Sequence, residues 1–360
     1  MFTYIIKIEG VRIYRSSYIL MTESLSLGGI VNLGLTCYAN AVIQCMRHCD
    51  KITSLFEEGH YNTLLNGTDD FVARNKMTKS FAEILQLLTK CKKGQSVRPA
   101  DFLMKFRQAI QNTGFEHLAS LAPHDSYEFY LCLLDTLHET LAQEVDMKIS
   151  PKLLNSTDGR TASALKIWKQ EFSKKYSPFV EYSYGLLHFV VTCSNCKNES
   201  YRWEPMTALK GVVSGEKSSE TLDEMLKAEF LPEEIEQYDC DNCRPTRHTA
   251  TKKTYIWKLP KYIVIVLKRF TYDGNRINTP LKLESTELNL NDYFSKDSPE
   301  YKSDASYNLT SIVDHHGGSR GGHYTAQCNT KGTWYVYDDE SIHEIKAPMI
   351  GPSTYMLWFS

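Results

Sequence analysis

The sequence contains no apolar run of bilayer-spanning length, which argues against a membrane helix. It also lacks a charge excess. Lys and Arg number 41 against 43 Asp and Glu, a formal net charge of −2, so there is no electrostatic ground for expecting nucleic acid. A secretion signal is missing too. Met1 to Leu20 alternates apolar and polar residues, and Arg12 and Arg15 interrupt any continuous apolar core. That stretch reads as an extra strand or an unordered extension, with Met21 as an alternative start. Ten cysteines without such a signal point to a reducing, intracellular compartment, where thiols act as ligands or nucleophiles rather than disulfides.

By length, the chain holds about two domains, or one large domain with an insertion. Helical patterns come first. Asn32-Leu-Gly-Leu-Thr-Cys37-Tyr-Ala-Asn40 reads as a turn entering a helix, with Gly34 supplying backbone freedom and Thr36 as N-cap. Val42, Ile43, Met46 and Cys49 follow at helical spacing as a buried stripe. Cys37 then sits in the first turn, where free N–H groups and the helix dipole favour a thiolate. Asn32 is placed to offer an amide to an oxyanion. By itself the stretch fits a small core cysteine equally well.

Phe81, Ile84, Leu85, Leu87 and Leu88 mark a second helix, and Phe102, Leu103, Phe106, Ala109 and Ile110 a third. Asp125, followed three residues later by Glu128, predicts a capping box opening a helix with Tyr127, Tyr130, Leu134, Leu137 and Leu141 inward. Residues 150–178 are polar and read as a connection.

Strand patterns follow. Tyr182 to Val191 runs into Cys193-Ser-Asn-Cys196, and Cys240-Asp-Asn-Cys243 comes later. Chance supplies only about 0.25 such pairs in a chain of this cysteine content, so the two belong together. Four thiolates close a tetrahedron and leave no open position, which predicts one structural zinc rather than a catalytic metal. A redox dithiol is the alternative, but it does not explain two pairs. Tyr262 to Leu267 predicts a central strand, Tyr307 to Val313 another, and Trp334 to Asp338 another, ending in the carboxylates Asp338 and Asp339. Helices first and strands later predict an α+β fold with an antiparallel sheet. His323 follows a glycine-rich segment, and Asp338 on the next strand can orient it. With Cys37 this makes a Cys-His-Asp constellation for nucleophilic catalysis.

These motifs together resemble the ubiquitin-specific proteases, the cysteine deubiquitinases. The likeness rests on Asn32 to Gln44, Asp125-Ser-Tyr-Glu-Phe129, both Cys-x-x-Cys pairs, Leu267-Lys-Arg-Phe270, Gly321-Gly-His-Tyr-Thr-Ala326 and Trp334 to Asp339. It implies a papain-like hand covering residues 28–360, beyond an extension over 1–27: a helical thumb at about 28–150, zinc-bearing fingers at about 185–255 and a sheet palm at about 255–360. It further implies Cys37 as nucleophile, His323 as base, Asp338 as orienting acid and Asn32 as oxyanion donor. Asp339 lies beside Asp338, either bonding a neighbouring loop, positioning water or standing as a solvated turn residue. Asp125 and His315 match residues along the channel for the ubiquitin tail, and Phe270 and Tyr272 match positions near its covering loops.

The implied activity is thiol-dependent hydrolysis after the C-terminal glycine of ubiquitin, with ubiquitin and ubiquitinated proteins as partners. The implied zinc is structural, at Cys193, Cys196, Cys240 and Cys243, with no catalytic cofactor. A monomer in the cytoplasm or nucleus is expected. Pro123 departs from the usual family residue there, and no separate ubiquitin-binding domain is evident. A protease for another ubiquitin-like modifier, an acyl transferase and a catalytically silent ubiquitin binder are the competing readings.

Overall fold

A computed structural model describes residues 6–9, 26–149, 159–318 and 321–360. Most of the N-terminal extension, Met21 included, lies outside these residues, as do 150–158 and Ser319–Arg320 in the glycine-rich segment. Ile6–Glu9 forms a short strand antiparallel to Asp146–Ile149.

The helix Cys37–Arg47 begins at the predicted cysteine, but all of its residues are buried rather than one stripe. It packs against the helix Ser126–Thr140 on one side and the strand Gly321–Thr330 on the other. The helix is sealed inside the core, and its buried polar side chains Asn40, Gln44 and Arg47 are hydrogen-bonded there. Thr36 occupies the N-cap position but does not cap: its Oγ1 accepts from the Leu33 N–H at 3.0 Å and donates to Asn32 Oδ1 at 3.2 Å. Val72–Lys90 packs against Ala100–Ala109 and Ser126–Thr140, with Leu87 half exposed rather than in the core. Asp125 does cap Ser126–Thr140, accepting from Glu128 N–H at 2.9 Å, whereas Glu128 pairs with His117 at 2.9 Å instead of reciprocating.

Two predicted boundaries move. Gly159–Phe172 is a helix within the expected connection, burying Ala162, Leu165, Trp168 and Phe172 at helical spacing. Tyr182 closes the short helix Pro178–Ser183, so the predicted strand starts only at Gly185.

The large sheet runs, in spatial order, Ser341–Ile345, Thr333–Asp338, Gly321–Thr330, Ser306–Gly318, Thr354–Phe359, Ile263–Lys268 and Leu209–Val212. It is antiparallel except at the last pair, where Leu209–Val212 lies parallel to Ile263–Lys268. This parallel edge departs from the purely antiparallel expectation, because the chain reaches it by a long crossover rather than a hairpin. A second, antiparallel sheet joins Glu199–Met206, Gly185–Cys193, His248–Lys258 and Glu233–Tyr238. Its register places Cys193 opposite Ala250, so the turns of both cysteine pairs meet at one end of the sheet. No described helix is long and apolar enough to cross a membrane.

Candidate active site

The cysteine helix and the histidine strand face each other across the core. Cys37 is buried at the helix start, and the backbone N–H of Tyr324, the residue after His323, faces its sulfur. Burial pushes the Cys37 thiol up. The Tyr324 amide works against that rise and the Asp339 charge adds to it, while the amides of Tyr38 and Cys37 oppose it more weakly. The expectation that the helix start favours a thiolate is therefore corrected: burial outweighs the backbone N–H groups that face the sulfur. Among the described residues no hydrogen bond joins Cys37 to His323.

His323 Nε2 donates to Asp338 Oδ1 at 2.6 Å. The pair Ala326–Tyr337 fixes the ladder, so His323 meets Asp338 diagonally at its end rather than directly opposite. This contact commits Nε2 and leaves Nδ1 free to take a proton. Asp339 is turned away by a left-handed backbone, φ 51°. Its side chain is only 13% exposed, against 48% for Asp338, and its nearest approach to His323 Nε2 is 3.9 Å. It accepts from Asn32 Nδ2 at 2.8 Å and Asn40 Nδ2 at 2.7 Å, while its backbone carbonyl accepts from Ile30 N–H at 2.9 Å. Of the roles open to Asp339, the solvated turn residue is therefore excluded, and loop bonding is what the geometry gives. Asn32 is pinned at both ends, its Oδ1 accepting from the Thr36 N–H at 3.2 Å.

Asp338→Ala should therefore lower the maximal rate by about a hundredfold or more, since the imidazole loses the one carboxylate that, among the described residues, lies within hydrogen-bonding distance. Asp339→Ala should lower it by about tenfold and cost roughly 1–3 kcal/mol of stability, because two amides lose their acceptor. Steady-state rates beside thermal melts check this, and a larger rate loss for a folded Asp339 variant would reverse the assignment.

A cleft of about 250 Å³ opens beside Cys37, lined also by Asp125, Phe270, His315, Gly322 and Tyr324. Asp125 accepts from Tyr355 OH at 2.6 Å and Tyr324 OH at 3.4 Å, so one carboxylate both caps a helix and braces the cleft wall. Tyr272 stands fully exposed and does not line the cleft. Gly322 needs to be glycine, since a Cβ there would come within 2.4 Å of His315 Nε2. Sequence reasoning did not single out the Asn40 contact, although a polar residue three positions after Cys37 on a buried helix was a usable signal. Tyr355 and Arg276 carried no such signal.

The four finger cysteines converge. Cys193 and Cys243 sulfurs are 3.9 Å apart and those of Cys196 and Cys240 3.5 Å, with all four within 4.8 Å of one another. A tetrahedron with metal–sulfur bonds of about 2.3 Å has edges near ~3.8 Å, so this donor set fits a zinc ion. Asn195 Nδ2 donates to Cys243 Sγ at 3.5 Å, tying one turn to the other.

The model of the ubiquitin carboxyl-terminal hydrolase family matches residues 28–359. The chain belongs to that family. Among its hydrolases, ubiquitin carboxyl-terminal hydrolase 4 of Eremothecium gossypii is 28% identical, over 92% of this chain and 42% of that protein. Human ubiquitin carboxyl-terminal hydrolase 2 is 26% identical, over 92% of this chain and 55% of that protein. The chain thus spans about half the length of the curated relatives it matches. The fold is similar to that of one chain in the solved SAGA Ubp8/Sgf11/Sus1/Sgf73 DUB module bound to ubiquitin aldehyde, with a TM-score of 0.69 at 20% identity, covering 94% of this chain and 70% of that one.

Proposed function

We propose that this chain is a cysteine deubiquitinase that hydrolyses the bond after the C-terminal glycine of ubiquitin in conjugates. The observation that carries the reading is a helix-start cysteine in a glycine-walled cleft, facing the strand on which His323 holds Asp338. The similar hydrolases support the choice of ubiquitin, as does the ubiquitin aldehyde carried by the solved module. The helices before residue 150, the cysteine-bearing sheet and the large sheet correspond to thumb, fingers and palm.

Burial favours the thiol form of Cys37, and among the described residues no hydrogen bond joins it to His323, so substrate entry has to bring sulfur and imidazole together. His323 Nδ1 then takes the proton as Cys37 Sγ attacks the glycine carbonyl carbon. The oxyanion faces the second N–H of Asn32, whose first is committed to Asp339, and the backbone N–H groups at the helix start. The C–N bond breaks as His323 returns the proton to the leaving amine. Water adds to the thioester, giving a proton to His323; the C–S bond then breaks as His323 returns that proton to the sulfur, and the released acid ionises to the carboxylate. Cys193, Cys196, Cys240 and Cys243 would hold one zinc, which when bound staples the fingers and takes no part in the chemistry. We read the acting species as a monomer. Ten cysteines, none of them in a disulfide, support a reducing cytoplasmic or nuclear setting.

Turnover of a ubiquitin C-terminal fluorogenic amide, run beside amides of ubiquitin-like modifiers, tests the reading. Ubiquitin should be cleaved at least about tenfold faster than any other, a difference of about 1.4 kcal/mol. Faster cleavage of another modifier, or none at all, would replace it.

A further inference from the structure

Two segments meet over the cleft, and one guanidinium holds them together. Phe270 and Arg276 bridge across a hairpin that is closed by Thr271 N–H donating to Asn275 O at 2.9 Å. From its base, Arg276 reaches to the end of the strand Ser306–Gly318. Its Nη1 donates to His315 Nδ1 at 2.7 Å and Gly317 O at 3.2 Å, and its Nη2 to His315 O at 2.8 Å and Pro352 O at 3.0 Å. Among the described residues no carboxylate forms an ion pair with Arg276, so its partners are all neutral.

Arginine can only donate, so the nitrogen it meets on His315 must be the bare one. The proton of the neutral ring therefore sits on Nε2. Among the described residues Nε2 has no hydrogen-bond partner, and it lies against Gly322 on the wall of the cleft that holds Cys37. The wall thus offers an N–H to any backbone carbonyl laid along it.

We propose that Arg276 is a positioning residue that fixes His315 as a neutral Nε2–H donor and ties the Phe270–Arg276 hairpin beside it, presetting the cleft for an extended glycine tail. This rests on the functional reading above for the identity of the tail. The groups facing His315 are Arg276, His316 on its own strand, the Tyr324 ring stacked at 4.4 Å and the Tyr355 ring at 6.3 Å, with Asp125 behind both hydroxyls and Asp314 adjacent in the chain. Burial, then the Arg276 charge, holds the His315 imidazole down at about 4.

The sign of the effect follows. Without the guanidinium, the imidazole value rises toward its ordinary range and the neutral ring is free to place its proton on Nδ1, losing the donor. Protonation at lower pH restores Nε2–H. Arg276→Ala should therefore raise KM for the fluorogenic ubiquitin amide about two- to tenfold at about pH 8, with kcat nearly unchanged. The defect should shrink as pH falls, because the imidazole, still held down by burial, takes up its proton at a higher pH than in the unmodified chain. Arg276→Lys should not restore KM, because a point charge cannot span four acceptors. Imidazole nitrogen NMR gives a readout independent of turnover. His315 in the unmodified chain should stay Nε2-protonated and neutral above about pH 5, and should titrate in Arg276→Ala. A KM ratio that is flat with pH, or identical imidazole spectra, would overturn the proposal. Absence of turnover in the unmodified chain would instead sink the ubiquitin reading, while the spectra would still decide the role of Arg276.

Discussion

Cys37→Ala should lose turnover of ubiquitin conjugates by a factor on the order of a million, the scale seen when a triad nucleophile is removed. No other thiol can take over. Cys45, Cys49, Cys132 and Cys328 are sealed in the core, the finger cysteines lie on the other sheet, and Cys91, at the end of the helix Val72–Lys90, does not line the cleft. Cys37 is different because it is buried and yet lines the cleft. Its backbone is set by the turn before it, where Gly34 and Leu35 both take left-handed conformations, φ 79° and 59°. The helix behind it is fixed by burial on every face, so truncation to alanine removes the sulfur without moving the frame. Ubiquitin affinity of the Cys37→Ala protein should therefore stay within about threefold, well under the 1.4 kcal/mol of a tenfold change, measured by titration calorimetry beside the rate assay. Residual cleavage above about a thousandth of the original would assign the chemistry to another residue.

The second large effect belongs to the fingers. Cys240→Ser should abolish zinc retention and loosen the sheet formed by Gly185–Cys193, Glu199–Met206, Glu233–Tyr238 and His248–Lys258. Small zinc-finger peptides draw roughly 10–16 kcal/mol of apparent free energy from metal binding, far more than the cross-strand pairs of this narrow sheet supply. Much of its outer edge is solvated: Glu233, Glu234 and Glu236 are exposed. The metal, not a core, should hold the far end. Metal analysis should find one zinc per unmodified chain and none in the variant, and limited proteolysis should cut the variant within residues 185–258. The core under Cys37 is a separate cluster, so KM for ubiquitin should rise more than kcat falls. Freshly purified, reduced protein without zinc would refute this arrangement.

The sequence made Cys37, His323 and Asp338 legible because each sits at an element boundary that glycine, capping or strand residues announce. The cysteine pairs were legible through spacing alone. Other features depended on distant partners. Asp339 could not be assigned from its own strand, because its role is set by Asn32 and Asn40 some three hundred residues away. The helix-start argument for a thiolate was sound locally and lost to burial, which only the packing of Ser126–Thr140 and Gly321–Thr330 reveals. Gly159–Phe172 hid its apolar spacing among lysines and glutamate, and Tyr182 was read by its strand-like composition although Pro178 starts a helix under a Ser177 cap. Arg276 gave no signal at all, since an arginine in a polar loop is ordinary until its acceptors are known.

Reaction of the unmodified chain with ubiquitin carrying a C-terminal electrophile decides whether Cys37 is the nucleophile. A single adduct of one ubiquitin per chain should form, mapped by peptide analysis to Cys37 among the ten cysteines, with no adduct in Cys37→Ser. An adduct mapped to any other cysteine, or labelling that persists in Cys37→Ser, would contradict it.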